Sequence, residues 1–276
     1  MPNVLVTGAS RGIGRATALR LAEKGWTVFA GVRSEADGAE LSGLGGGSIT
    51  PVTLDITNPA DLAALPGVVG GQLDAVVNNA GVVVDGPIET IAVDALRRQF
   101  EINVVAQVAV TQAVLPLLRA SRGRIVFVSS LSGRLSTPLT GAYNGSKFAI
   151  EAIADALRIE LRQWKLPVVL IEPGPVATDM WGGVLDQHAA SLAALSPAHR
   201  ELYGKTFEKA KKPLTFMQKQ AVPVDKVSRA IEKALSAKRP KARYTIDVAS
   251  KVQLASIAVT PTRVMDSVMA RIMGTN

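Results

Sequence analysis

The run Thr7-Gly8-Ala9-Ser10-Arg11-Gly12-Ile13-Gly14 narrows what this chain can fold into more than any other stretch. It follows a short apolar run, Asn3 to Val6, and leads into Ala16, Leu19, Leu21 and Ala22, which recur at helical spacing. A strand, a glycine turn and a helix are therefore expected in that order. Glycines let backbone N–H groups approach a pyrophosphate, and a helix N-terminus adds partial positive charge. Gly8, Ser10, Arg11, Gly12, Ile13 and Gly14 are accordingly candidate nucleotide contacts. The spacing Gly-x-x-x-Gly-x-Gly differs from the Gly-x-Gly-x-x-Gly fingerprint, so the placement of the loop carries the inference. A plain glycine-rich turn is the alternative.

A second strand, Trp26 to Val32, ends at Arg33. An NAD site would place Asp or Glu near this point to bind the ribose 2′-hydroxyl. Arg33 instead offers a guanidinium fork suited to a 2′-phosphate, with Arg11 and the Ser10 hydroxyl completing the pocket. NADP(H) is favoured over NAD(H), and Asp37 reads as a loop residue. The third strand, Ser48 to Leu54, is closed by Asp55-Ile56-Thr57. Asp55 either accepts a bond from the adenine amino group or caps a helix beginning near Pro59. The fourth, Leu73 to Val77, ends Asn78-Asn79-Ala80-Gly81, where small residues leave room for a nucleotide and Asn78 can tie adjacent backbones. In the long helical pattern from Val93 to Leu118, Asn103 is a polar amide that needs partners. It either holds a water linking Lys147 to solvent or satisfies a helix kink.

Ile125 to Ser129 reads as a buried strand, which puts the Ser130 hydroxyl at a carboxyl end, where ligands collect in open α/β sheets. Tyr143 and Lys147 stand four apart on one helix face. A phenol has a pKa of about 10, and an adjacent ammonium should lower it, so that Tyr143 exchanges a proton with a substrate oxygen. Each residue alone has an ordinary reading, and together, behind a nucleotide loop, they point to chemistry. The helix runs on to about Trp164, and Val168 to Ile171 is a sixth strand. Pro173, Gly174, Val176 and Thr178 follow it, placed for backbone and hydroxyl contacts to a nicotinamide amide. Residues 179–222 read as a mobile substrate lid or a plain surface helical hairpin. His188 and His199 are the only histidines and lack ligand spacing, so no metal is expected. A helix over Val224 to Ser236 and a strand over Tyr244 to Val248 come next. Val264, Met265, Val268, Met269 and Ile272 form a stripe expected to cover the core or a partner subunit.

With 276 residues, 47% hydrophobic and 20% charged, the chain suits one domain over 1–276, with a basic C-terminal extension at about 249–276. The absence of cysteine excludes disulfide and thiolate chemistry. No signal peptide and no apolar run of membrane-spanning length is read, so a cytoplasmic protein is expected. Residues 200–276 hold 16 Lys/Arg against 6 Asp/Glu, whereas residues 1–199 hold 15 against 17. Such asymmetry marks either solvated helix faces or an anionic partner. The partner weighed is an anionic membrane touched peripherally by the tail. No interleaving of aromatic and basic residues suggests nucleic-acid binding.

Thr7 to Gly14, Asp55, Asn78 to Gly81, Asn103, Ser130, Tyr143, Lys147 and Pro173 to Thr178 resemble, in order, the motifs of the short-chain dehydrogenase/reductase family. The resemblance covers roughly residues 1–250. It implies a Rossmann-like, doubly wound parallel α/β sheet of about seven strands, ordered 3-2-1-4-5-6-7, with helices on both faces. It also implies Tyr143 as general acid/base and Ser130 orienting the carbonyl. Lys147 would bind the nicotinamide ribose and lower the Tyr143 pKa, and Asn103 would complete a proton relay. Ser129 to Arg134, Pro138 and Pro240 to Tyr244 look like the retinol and 17β-hydroxysteroid dehydrogenase branch, which implies a hydrophobic carbonyl or alcohol substrate. Family members form homodimers or homotetramers on the two long helices. The expected activity is an NADP(H)-dependent carbonyl reductase, reversible as an alcohol dehydrogenase. Its rivals are a 3-oxoacyl carrier-protein reductase and a non-catalytic nucleotide-sensing regulator.

Overall fold

The computed structural model describes residues 1–275; Asn276, the end of the expected domain, lies outside the described residues, as does the side chain of Met180. Seven strands form one parallel sheet: β1 (Asn3–Thr7), β2 (Thr27–Val32), β3 (Ile49–Thr53), β4 (Ala75–Asn78), β5 (Arg124–Val128), β6 (Val168–Glu172) and a last strand, Arg243–Thr245. Their order is β3-β2-β1-β4-β5-β6 and then the last strand, as expected. The strands are continuously apolar because both faces are covered. Val4 and Val6 point to one face and Leu5 to the other, as do Val126 and Val128 against Ile125 and Phe127. One face packs α1 (Gly12–Glu23) and a helix over Val224–Ser236, through Ala18, Leu21, Val227 and Ile231. The other packs α3 (Pro59–Val68), α5 (Ala106–Ser121) and α6 (Gly141–Glu160), through Leu65, Val110, Val114, Ile150 and Ala154.

Several local expectations are corrected. Residues Glu35–Leu44 form a helix, α2, capped by the Ser34 hydroxyl accepting from the Asp37 N–H, so Asp37 sits in a first helical turn and not in a loop. Asn58 caps α3, and Asp55 instead closes a turn onto Thr57. The pattern from Val93 is two α-helices, α4 (Val93–Phe100) and α5, joined by a π-helical turn over Glu101–Val105, where the Ala106 N–H donates to the Glu101 carbonyl. By length and composition the 29 residues Val93–Ser121 could cross a membrane, a run the sequence reading did not find. Here that helix packs on the sheet, with Val110, Val114 and Leu118 fully buried.

Two short strands, β7 (Val176–Ala177) and β8 (Val222–Pro223), pair in parallel and bring together the two ends of the segment between them. That segment folds as α7 (Asp179–Gly182), α8 (Val184–Ala193) and α9 (Pro197–Lys219), followed by α10 (Val224–Ser236) and β9, the last strand. The tail adds α11 (Val248–Val259) and α12 (Thr262–Met273). Its expected stripe is not buried as one face: Val264, Val268 and Ile272 are exposed, and Met273 enters a small cluster with Leu139, Leu195, Phe207 and Ala210.

Candidate active site

β1 is flanked by β2 on one side and β4 on the other, so the chain reverses direction across the sheet there, and the crevice opens at the carboxyl ends of β1 and β4. Gly8 and Gly12 have φ of +63° and +55°, values that disfavour side chains. A Cβ on Gly14 would lie 2.2 Å from the Gly8 carbonyl oxygen and 2.5 Å from Asn79 Nδ2. On Gly8 it would meet Ala80 Cα at 2.9 Å, and on Gly12 Thr178 Cγ2 at 3.3 Å. The loop is thus wedged between the Asn79–Gly81 turn and Thr178. α1 starts at Gly12, with Arg11 at its N-cap position, no side-chain cap and no acidic residue in its first turn, which leaves its N-terminal N–H groups for an anion.

The Thr7 hydroxyl accepts from the N–H groups of Asn79 and Ala80, and Asn79 Nδ2 donates to the carbonyls of Thr7 and Gly8. Asn79 therefore builds the cradle from behind. Gln107 ties in the Ala80 carbonyl at 2.7 Å, and Asn78 donates to the Thr111 hydroxyl. Arg33 and Arg11 lie exposed at the rim and Ser10 is half-buried. Hydrogen bonds from the Thr57 N–H and hydroxyl hold Asp55 below the usual carboxylate range, with a smaller contribution from the Arg33 charge. Ile56 and Val176, both expected to touch the nucleotide, have buried side chains committed to the two sheet cores.

The second half of the site sits where β5, α6 and the turn after β6 meet. Ser130 is extended at the end of β5, and its hydroxyl accepts from the Ser132 N–H at 3.1 Å and donates to the Pro173 carbonyl at 3.4 Å. The Leu131 N–H also donates to Pro173, which fixes that turn. Gly174 packs so that a Cβ would meet Ser250 Oγ at 3.1 Å. Lys147 is 5% exposed; its Nζ donates to the Val128 carbonyl at 2.8 Å and lies 5.7 Å from the Tyr143 ring centroid.

Burial pushes the Tyr143 phenol up from its ordinary value, and the Ser130 hydroxyl beside it pulls the other way. Burial also pushes Lys147 down to about 8, which Glu151 opposes. The expected lowering of the phenol by Lys147 is not what the surroundings give: burial raises Tyr143, and the group that opposes it is the Ser130 hydroxyl.

Asn103 is fully buried in the π turn. Its Oδ1 accepts from the Val82 N–H, and its Nδ2 donates to the Val82 carbonyl and to the Ser146 hydroxyl. Gln99 makes the matching pair of bonds to Val84 and Val82. These bonds run from the π turn to the loop after β4 and to Ser146, the neighbour of Lys147, and none of them goes to the backbone of the kinked helix itself. Thr7, Gln99, Gln107, Ser146 and Glu151 were not singled out from the sequence. Gln107 and Glu151 are polar residues in apolar runs, the signal that could have found them, whereas Gln99 and Ser146 have polar neighbours and carry no such signal.

A doubly wound parallel sheet with a glycine cradle at its switch point is the architecture of a dinucleotide-binding protein. The chain belongs to the short-chain dehydrogenase family, whose model matches residues 2–189. It is an oxidoreductase acting on CH–OH and C=O groups. An Ornithobacterium rhinotracheale protein named NADPH-dependent 3-dehydrocapnine reductase is 36% identical over 278 residues, covering 97% of this chain and 96% of that one. Retinol dehydrogenase 5 of Mus musculus is 31% identical, covering 98% and 88%. A solved short-chain dehydrogenase from Streptomyces avermitilis superposes with a TM-score of 0.77 at 26% identity, covering 98% of this chain and 94% of that one.

Proposed function

We propose that the chain is an NADP(H)-dependent enzyme interconverting a hydrophobic ketone or aldehyde with its alcohol, and that Tyr143, Ser130, Lys147 and Asn103 are its reacting set. One observation carries this reading: a phenol, a hydroxyl and a buried amine converge beside the glycine cradle. The loop fits a dinucleotide: glycines at 8, 12 and 14 let it pack against Ala80, Asn79 and Thr178, and α1 has neither a side-chain cap nor an acidic residue in its first turn to compete with a phosphate. Arg33, Arg11 and Ser10 would hold the 2′-phosphate, and Asp55 and Asn79 to Gly81 would line the nucleoside end. Pro173, Gly174 and Thr178 would border the nicotinamide. The name of the Ornithobacterium relative supports NADPH. When bound, the coenzyme supplies or accepts a hydride.

In this reading Tyr143 delivers its proton to the carbonyl oxygen, and Ser130, anchored on Pro173, orients that oxygen. Burial keeps the phenol protonated until the oxygen arrives. Lys147 stabilises the phenolate left behind. Asn103 fixes Val82 and Ser146 around the turn that bears Lys147. The likeness to retinol dehydrogenase 5 supports an apolar substrate; a pocket of about 220 Å³ between α8 and the loop after β4 mixes Val84, Ile91 and Leu195 with Asp85, Thr90 and Ser191.

The test is a panel of ketones and aldehydes with NADPH and NADH. Tyr143→Phe should lose about 10²- to 10⁴-fold in kcat, and near-wild-type turnover in that variant would overturn the reading. Arg33→Ala removes a charge-assisted contact of about 1.5–3 kcal/mol, so KM for NADPH should rise roughly 10- to 100-fold and KM for NADH should stay put. A preference for NADH that ignores the substitution would refute the coenzyme assignment.

A further inference from the structure

Two sequence features have no part in that chemistry: Gly133-Arg134 after β5, and the Pro240 to Tyr244 run that enters β9. They meet behind α6. Arg243 Nε lies 3.0 Å from Glu151 Oε2 and 3.2 Å from Glu172 Oε1, and its Nη2 is 2.7 Å from Asp155 Oδ2. Arg134 approaches Glu172 at 3.6 Å. Glu151 and Glu172 are 4% and 1% exposed, so two carboxylates are buried together and held by guanidinium groups.

Glu151 follows Lys147 by one helical turn, as Lys147 follows Tyr143, which places the three on one face of α6. The packing there is tight. A Cβ on Gly133 would lie 2.8 Å from Glu151 Cγ, 3.0 Å from the Lys147 carbonyl oxygen and 3.1 Å from Ser129 Oγ. Glu151 Oε1 is buried without a hydrogen-bond partner. A solvent-open pocket of about 360 Å³, lined by Gly133, Arg134, Phe148, Glu151, Asp155 and Arg243 among others, reaches this carboxylate from outside.

We propose that Glu151 is a positioning residue for the reaction: paired with Arg243, its carboxylate holds the buried Lys147 side chain in the ammonium form. The proposal rests on the assignment of Lys147 to the reacting set. The groups that bear on this pair are Tyr143 and Asp155 on α6, Arg134 after β5, Glu172 on β6 and Arg243 on β9. Burial lowers Lys147, and Glu151 opposes it. Burial raises Glu151, the Ser129 hydroxyl opposes it, Glu172 adds to the rise, and Arg243 opposes both. Neutralising Glu151 therefore lowers the pH at which Lys147 loses its proton. Removing Arg243 does the same indirectly, because Glu151 then binds a proton more readily.

The experiment is the pH profile of kcat for ketone reduction with NADPH by the full-length protein, from about pH 6 to 10, with melting temperature and NADPH affinity measured alongside. Glu151 lies one helical turn from Lys147 without touching its Nζ, which bonds the Val128 carbonyl, so its charge acts on Lys147 through space. Glu151→Gln should shift the alkaline fall of kcat to lower pH, and Glu151→Asp should shift it less. Arg243→Gln should move it in the same direction, and Asp155→Asn should leave it in place. A structural role alone would lower kcat at every pH without moving the limb. An unmoved limb in folded Glu151→Gln overturns the proposal. Where that variant does not fold, Arg243→Gln, which leaves α6 intact, decides by the same criterion. If Tyr143→Phe is inactive and the limb is unmoved, only this inference fails; an active Tyr143→Phe enzyme defeats the assignment it rests on.

Discussion

The coenzyme end of the sheet and the α8–α9 hairpin beside it are held in opposite ways. At the sheet end, strand residues such as Val4, Val6, Val77 and Ile171 are fully buried, and the glycine cradle is fixed by backbone contacts with no room for a methyl group. The hairpin packs on a separate cluster of Leu139, Leu195, Phe207, Ala210 and Met273. Polar ties fasten it to the loop after β4. Gln187 and Ser191 donate to Asp85 at 3.0 and 3.1 Å, Tyr203 donates to Glu89, and His188 bonds the Phe207 carbonyl and stacks on its ring. Local opening costs less where fewer buried contacts are lost. The difference places Ser130, Tyr143 and Lys147 on rigid elements and leaves the hairpin as a segment that can be rebuilt with little cost to the sheet.

The sharpest way to break that contrast is Phe207→Ala. Losing a fully buried phenyl ring should cost the hairpin about 3–5 kcal/mol, while NADPH affinity stays within a few-fold by calorimetry. A parallel loss of coenzyme binding would show that hairpin and sheet unfold as one unit.

On the rigid side, Lys147→Met tests whether function is bought with stability. The Lys147 pKa falls from 10.5 to about 8, so the folded state binds its proton less well than the unfolded chain does. The penalty is fully present below about pH 8 and disappears as pH rises through 10.5. At about 1.4 kcal/mol per unit it is of order 3 kcal/mol. The Lys147→Met protein should therefore melt higher than wild type at pH 7, with the gain vanishing above pH 10.5. A variant that melts lower at pH 7 would contradict this.

The smallest effect is expected at the latch. Asp85→Ala removes two exposed or half-buried hydrogen bonds, worth about 1–2 kcal/mol together. KM for the carbonyl substrate should rise several-fold, with kcat and the NADPH constant unchanged. A fall in kcat instead would mean that the hairpin also positions the reacting groups.

Local pattern made much of the site legible. Apolar runs followed by Gly8, Asn78, Ser130 and Pro173 mark strand ends, and the spacing of Tyr143 and Lys147 marks one helix face. Other elements carry no such pattern. α2 contains Gly38 and Gly43 and has no clear apolar stripe, so nothing local marked it as a helix and Asp37 read as a loop residue. β7 and β8 are two residues each and exist only through pairing across 44 intervening residues. The tail stripe has helical spacing, yet nothing local states which of its side chains meet a neighbour.

By itself the sequence determined the alternation of strand and helix, the glycine cradle and the order of the reacting residues, because each is written in neighbours a few positions apart. Tertiary structure alone decided that Asn103 spends its amide on Val82 and Ser146, and that burial outweighs the Ser130 hydroxyl at Tyr143 and the Glu151 charge at Lys147. It also decided that Arg134, Glu151, Glu172 and Arg243 gather behind the reacting lysine. These outcomes depend on distance and on desolvation across elements far apart in the chain, and both come into being only when the sheet closes against its helices.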